Sequence, residues 1–156
     1  MYRTAANALA SSCMDPGNDL SSSSGTPLAP LLAAAQGAAR MAYAPYSGFR
    51  VGAALQLADG SIVTGANVEN VSYGLTICAE RAAIVRAVAT FGPELRITAV
   101  AIANLNHAPS PPCGACRQML AEFTPPDTPV AFPAPDGTKV LLFGALLPLA
   151  FHMKHP

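Results

Sequence analysis

Two of the four cysteines stand three residues apart at the beginning of a predicted helix, in the segment Pro112-Cys113-Gly114-Ala115-Cys116. This spacing places both sulfurs on one side of the first helical turn, which is metal-chelating geometry. The partial positive charge of a helix N-terminus also favours thiolate over thiol. Two thiolates do not complete a zinc site, which has four protein ligands when structural and three plus water when catalytic. The fold must therefore bring at least one further ligand to this helix.

Cys78 is the candidate for that third ligand. It begins another predicted helix, and a single strand separates the two helices. A crossover connection of this kind allows the two helix starts to converge. Glu80 follows Cys78 by two residues, close enough to approach a metal-bound water without being a ligand itself.

Other interpretations of the cysteines remain open. A lone Cys-x-x-Cys also occurs as a redox dithiol or as half of a structural zinc site. A structural site needs a fourth ligand, for which His107 and Cys13 are available. However, His107 lies in a predicted loop and Cys13 in a predicted tail, and residues at such places are more often incidental than metal ligands. A redox role leaves Cys78 and Glu80 unexplained.

Hydrophobic periodicity and turn residues predict the element order α-β-β-α-β-α-β-β, with a short last helix. The predicted helices cover residues 28–41, 78–91 and 113–123, and the last one 146–151. The predicted strands cover residues 51–57, 62–68, 97–103, 129–132 and 139–143. Pro45 is expected to end the first helix, and Asp59-Gly60 and Asp136-Gly137 to form hairpin turns. This order predicts an α/β fold: a mixed five-stranded sheet with helices on both faces, in three α/β/α layers.

Composition limits the partners. Lysine plus arginine and aspartate plus glutamate number 9 each, so the net charge is zero and no basic excess is available for phosphates. A small neutral substrate fits this balance better than a nucleic acid polymer. No apolar run reaches the roughly 20 residues that span a membrane.

The first 26 residues differ from the rest of the chain. They contain the low-complexity run 21–24 and no periodic apolar pattern, which predicts a disordered tail before a catalytic domain at 27–156. Arg3 and several Ser and Ala are also compatible with organellar targeting, but we expect a disordered tail without a targeting function. The absence of a secretory h-region predicts a cytoplasmic, reducing location in which cysteines bind metal.

Four segments together resemble the small homotetrameric zinc-dependent cytidine deaminases, over roughly residues 28–151. They are Ala44-Pro45-Tyr46-Ser47-Gly48-Phe49-Arg50-Val51-Gly52-Ala53-Ala54-Leu55, Gly65-Ala66-Asn67-Val68-Glu69-Asn70, Cys78-Ala79-Glu80-Arg81 and Pro112-Cys113-Gly114-Ala115-Cys116-Arg117-Gln118. Zinc deaminases bind the metal through one histidine and two cysteines or through three cysteines. They also carry a glutamate that does not bind the metal, and a Pro-Cys-x-x-Cys segment. The resemblance implies Zn²⁺ on Cys78, Cys113 and Cys116, with Glu80 moving protons.

The resemblance also implies a nucleoside pocket. Asn67 and Glu69 would hold the ribose 3′-hydroxyl, Phe49 would stack on the pyrimidine, and the Ala79 backbone N–H would meet the base carbonyl. Tyr73 and Phe151 would close the active site of a neighbouring subunit in a homotetramer. Arg81 and Gln118 would donate hydrogen bonds to the cysteine sulfurs.

The implied reaction is the hydrolysis of cytidine and deoxycytidine to uridine and deoxyuridine with release of ammonia, a step of pyrimidine salvage. Two alternatives are weighed against it. One is deamination of a cytosine-containing antibiotic such as blasticidin S, which the Asn67–Glu69 pair disfavours. The other is a non-catalytic, zinc-stabilised paralogue, which Glu80 disfavours.

Overall fold

The chain forms a five-stranded sheet with helices on both faces, seen in a computed structural model that describes residues 28–151 and 153. Its helices are Leu28–Ala39 (α1), Ala79–Phe91 (α2), Gly114–Ala121 (α3) and Phe143–Leu146 (α4), with a 3-10 helix at Tyr73–Leu75. Its strands are Val51–Leu57 (β1), Ile62–Ala66 (β2), Ile97–Asn104 (β3), Pro129–Ala134 (β4) and Gly137–Leu142 (β5). The predicted tail at 1–26 lies outside the described residues.

The strand order is β2-β1-β3-β4-β5. The central pair β3 and β4 is parallel, and every other neighbouring pair is antiparallel. Both predicted hairpin turns are present, and each places a glycine in the left-handed region, Gly60 at φ 86° and Gly137 at φ 118°. The parallel pair is joined through α3, so the start of α3 lies at the end of β3. The mixed sheet is confirmed.

Alternate residues of the strands supply two cores. On one face, α1 packs through Leu31 and Ala35 on small side chains such as Ala54 and Ala101. On the other face, Ile84 of α2 and Leu120 of α3 belong to a larger cluster that includes Leu55, Val100, Ile102 and Val130. Since strand side chains alternate between faces, neighbours such as Ala101 and Val100 serve different layers. The three-layer prediction is confirmed.

Two glycines permit close approach of the helices to the sheet. A methyl group on Gly52 would collide with the Ala35 carbonyl of α1, and one on Gly65 would collide with the backbone of Ala79 and Ala83 in α2. The first turn of α2 therefore lies directly against β2. This contact fixes the height of Cys78 and Glu80 above the sheet.

The end of the first helix differs from the prediction. α1 ends at Ala39, two residues before the predicted end at Met41, because the Arg40 and Met41 N–H groups turn back to the carbonyls of Gly37 and Ala38. Beyond the helix, the Tyr43 N–H donates to the Asn67 carbonyl at 3.0 Å.

The predicted position of the last helix, residues 146–151, was also wrong. It covers Phe143–Leu146, whose two end residues are buried, whereas Leu149 is 94% exposed and has no core to hold it in a helix. Pro148 in addition lacks the N–H that a continuing helix needs. Among the described residues, no helix is both long and apolar enough to span a membrane.

Candidate active site

Three cysteine sulfurs meet where α2 and α3 begin. Cys78 is the N-cap of α2, Cys113 is the N-cap of α3, and Cys116 lies in the first turn of α3. The Sγ atoms of Cys78 and Cys113 are 3.9 Å apart, those of Cys113 and Cys116 are 3.4 Å apart, and all three lie within 4.8 Å of one another. The expected convergence of two helix N-termini is present.

The sulfur positions fit a tetrahedral zinc ion. Zinc–thiolate bonds of 2.3 Å at tetrahedral angles would separate the sulfurs by about 3.8 Å, and the observed spacings bracket that value. The cysteines are free thiols, too far apart for a disulfide. Within residues 28–151 and 153, His107 does not join the cluster, and Cys13 lies outside the described part. Three cysteines, with no fourth protein ligand among the described residues, match the ligand number of a catalytic zinc site.

The thiols influence one another's ionisation. The neighbouring Cys116 thiol, followed by the Arg81 guanidinium, lowers the pKa of Cys78 to about 5 against the opposing effect of burial. The Cys78 sulfur and burial both raise the pKa of Cys116. Three thiols this close resist losing all three protons unless a cation balances them. The donor set therefore favours a soft divalent metal such as zinc.

Glu80 lies beside the sulfurs in the first turn of α2 and is only 5% exposed. Burial raises the pKa of its carboxyl group, and the nearby Cys78 adds to the effect. A carboxyl group with a raised pKa suits both accepting and returning a proton near neutral pH. The preceding residue, Ala79, is fully buried, and its N–H is one of the first helical donors, which have no intrahelical acceptor.

The two residues expected to support the sulfurs behave differently. Arg81 donates from Nη2 to the Thr76 carbonyl at 2.8 Å and to Cys78 Sγ at 3.9 Å. Gln118 instead donates from Nε2 to the Phe151 carbonyl at 2.9 Å. In this structure Gln118 thus ties the C-terminal segment to α3 rather than bonding a sulfur.

Asn67 and Glu69 lie just beyond β2, and both contact the segment before β1. The Asn67 amide accepts from the Val51 N–H at 2.8 Å and donates to the Phe49 carbonyl at 2.9 Å. The Glu69 carboxylate accepts the hydroxyl of Ser47 and the N–H groups of Tyr46 and Ser47. These bonds, led by the Ser47 hydroxyl, lower the pKa of Glu69. Ser47 was not singled out from the sequence, although it stands in one of the quoted motifs.

The three aromatic candidates lie outside the core clusters. Phe49 is half-buried between the Asn67 and Ser47 contacts of its backbone. Tyr73 is 77% exposed and packs edge-on to Tyr46, with ring centroids 6.3 Å apart. Phe151 is 68% exposed, although its carbonyl is held by Gln118. Tyr73 and Phe151 are therefore surface aromatics on this chain.

Comparisons with known proteins agree with this geometry. Residues 28–132 match the family model described as "Cytidine and deoxycytidylate deaminase zinc-binding region". A cytidine deaminase of Halalkalibacterium halodurans is 53% identical over 89 residues, a match that covers 57% of this chain and 66% of the relative, just under two thirds of its length.

Solved structures give wider coverage. A cytidine deaminase from Mycobacterium tuberculosis superposes with a TM-score of 0.71 at 41% identity, covering 83% of this chain and 100% of that one. One from Burkholderia pseudomallei superposes with a TM-score of 0.72 at 45% identity, covering 78% of this chain and 97% of that one. The family model spans more than half of the chain, from α1 through β3 to both cysteine-bearing helix starts, and the chain therefore belongs to the cytidine and deoxycytidylate deaminase family.

Proposed function

We propose that this protein hydrolyses free cytidine and deoxycytidine to uridine and deoxyuridine plus ammonia, with one zinc ion held by Cys78, Cys113 and Cys116. The observation that carries the proposal is the buried Glu80 carboxyl beside three converging sulfurs, in a chain of this family. The relatives named above are cytidine deaminases.

Each residue of the centre has a task. Zinc, when bound, acts as a Lewis acid that makes water a nucleophile near neutral pH. Glu80 takes a proton from the attacking water and delivers it to ring N3. The water oxygen bonds to C4 as the C4–N3 double bond becomes single. Glu80 then takes the remaining proton of that water from the new C4 hydroxyl and passes it to the amino group, so that the C4–N bond breaks, ammonia leaves and the C4 carbonyl forms. Proton transfer by a placed carboxylate typically contributes about 10²–10⁴-fold.

The segment before β1 and the residues just after β2 hold the parts of the nucleoside that do not react. Phe49 offers an aromatic face to the pyrimidine, while the Ala79 N–H is available for the base carbonyl. Asn67 retains one N–H beyond its bond to Phe49, and the ionised Glu69 retains free acceptor positions, so the pair suits a ribose hydroxyl. Blasticidin S deamination lacks a specific observation in its favour, as does a non-catalytic role.

The assembly we propose is a homotetramer in which Tyr73 and Phe151 serve a neighbour's site. The stretch from Val68 to Ile77 exposes several large apolar side chains directly before the α2 helix start: Val68, Val71, Tyr73, Leu75 and Ile77. A concentration of exposed large apolar side chains in one segment favours an interface at that segment. We place the assembly in the cytoplasm, as a pyrimidine-salvage enzyme whose catalytic domain is 27–156.

Light scattering followed by subunit mixing tests the assembly. Glu80→Gln subunits keep Phe151, and Phe151→Ala subunits keep Glu80. If Phe151 acts across the interface, mixed tetramers contain sites with both residues intact and regain part of the lost activity. A monomeric mass with full activity, or no regain in verified mixed tetramers, would contradict the shared site.

The reaction itself is tested with zinc-loaded protein on a panel of cytidine, deoxycytidine, cytidine monophosphate, cytosine and blasticidin S. Loss of substrate absorbance together with stoichiometric ammonia measures turnover, and Glu80→Gln serves as the control. We expect the two nucleosides to be turned over and the Glu80→Gln protein to be inactive. Turnover of blasticidin S alone would replace the proposal with the antibiotic alternative, and turnover of none would refute it.

A further inference from the structure

The short segment that carries Phe49 is held along both edges by side-chain amides. On one edge, the Arg50 N–H donates to Asn106 Oδ1 at 2.9 Å, and Asn106 Nδ2 donates to the Gly48 carbonyl at 3.2 Å. On the other edge, Asn67 makes the equivalent pair of bonds to the Val51 N–H and the Phe49 carbonyl. Each amide thus donates to one backbone carbonyl and accepts from an N–H two residues further on.

These bonds replace strand pairing where the sheet ends. The ladder between β1 and β3 stops at the pair Val51–Asn104, and beyond it a single backbone bond joins Leu105 N–H to the Arg50 carbonyl. Backbone groups of successive residues in an extended segment point to opposite edges. One amide on each side is therefore needed to hold the residues on both sides of Phe49.

Asn106 is itself held by the last residue of β3, Asn104. Its backbone N–H donates to Asn104 Oδ1 at 2.9 Å. Asn104 is buried, and its Nδ2 donates to the Ala108 carbonyl and to Ser110 Oγ. The loop built in this way runs from β3 directly to Cys113. One loop therefore joins the backbone around Phe49 to the cysteine pair of α3.

We propose that Asn106 is a positioning residue for nucleoside binding: its amide fixes the backbone on both sides of Phe49, and so sets the Phe49 ring at a defined place relative to Cys113 and Cys116. The proposal rests on the proposed function, since it assigns Phe49 to the base. Asn106 does not touch the reacting atoms, so its loss should weaken substrate binding and leave the proton transfers unchanged.

The test measures KM and kcat for cytidine with zinc-loaded Asn106→Ala protein. Two net hydrogen bonds are lost, so we expect KM to rise roughly 5- to 20-fold while kcat stays within about twofold. Asn106→Asp keeps the acceptor for Arg50 but loses the donor to Gly48, and its KM should fall between those of the Ala variant and the unchanged protein. Thr98→Val, which removes side-chain bonds to β1 carbonyls at the opposite end of β3, is the matched control and should leave KM unchanged.

A double-mutant cycle separates positioning from a general loss of structure. If Asn106 acts through the Phe49 ring, the Asn106→Ala effect on KM should largely vanish in a Phe49→Ala background. Cytidine binding measured by calorimetry in the Glu80→Gln background gives the same comparison without turnover. An unchanged KM and affinity in Asn106→Ala, or effects that add fully to those of Phe49→Ala, would overturn the inference. Failure of the unchanged protein to deaminate cytidine while binding shows the expected pattern would instead refute the proposed reaction.

Discussion

Replacement of Gly65 by alanine is expected to displace the start of α2, which carries Cys78 and Glu80, because Gly65 packs against the backbone of that helix. The added methyl would lie 2.6 Å from the Ala79 carbonyl oxygen and 2.9 Å from the Ala83 Cα, whereas ordinary contact begins at 3.4 Å. The obstacles are backbone atoms of a helix and cannot rotate away. The helix must therefore retreat from β2 by about 0.8 Å or more, taking Cys78 and Glu80 with it.

The magnitude follows from that displacement. Overpacking of this kind costs about 1–3 kcal/mol, which in a chain of this size lowers Tm by roughly 3–10 °C. A misplacement near 1 Å at a catalytic centre costs about 10²-fold in rate. We therefore expect Gly65→Ala to lose about two orders of magnitude in kcat/KM for cytidine, with reduced zinc retention during dialysis.

Two further glycines provide the controls. Gly37 lies within α1 with no atom near its missing side chain, so Gly37→Ala should raise stability by about 0.5–1 kcal/mol and leave kcat/KM unchanged. Gly52→Ala collides with α1 on the opposite face of the sheet, and should lower Tm with a smaller loss of kcat/KM. The assays are thermal unfolding, zinc content and steady-state kinetics. Normal Tm and normal kcat/KM in Gly65→Ala would refute the reasoning.

Three other outcomes are expected. Glu80→Gln should lose at least about 10²-fold in kcat while keeping one zinc per chain, since Glu80 moves protons and is not a ligand; near-normal turnover in that variant would mean that another group carries the proton. Cys113→Ala should lose zinc as measured by elemental analysis, because two thiolates remain of the three that meet at this site; full zinc occupancy in the variant would show that the metal lies elsewhere. Deletion of residues 1–26 should leave kcat/KM and Tm unchanged, since that stretch lacks a periodic apolar pattern; a large loss of activity would assign the segment a place on the core or at a site.

Much of the local structure could be predicted because its causes are local. Alternation and β-branched residues located the strands, and each Asp-Gly pair formed the expected hairpin turn, with its glycine in the left-handed region. The cysteine spacing also indicated convergence of two helix starts, because a metal site needs a third ligand. The last helix was predicted wrongly, since its position depends on which leucines are buried in the folded chain. Leu146 is buried, whereas Leu149 is exposed.

The sequence by itself determined the chemistry of the centre: three thiols and a carboxyl group, at spacings that suit one metal ion. Only the tertiary structure decided how that centre is supported. The strand order, the contact of Gly65 with α2 and the bond from Asn106 to Gly48, 58 residues away, join parts of the chain that no local pattern connects. The physical reason is that a side-chain amide or a missing Cβ has no periodicity of its own, and acquires a role only when folding places another backbone beside it.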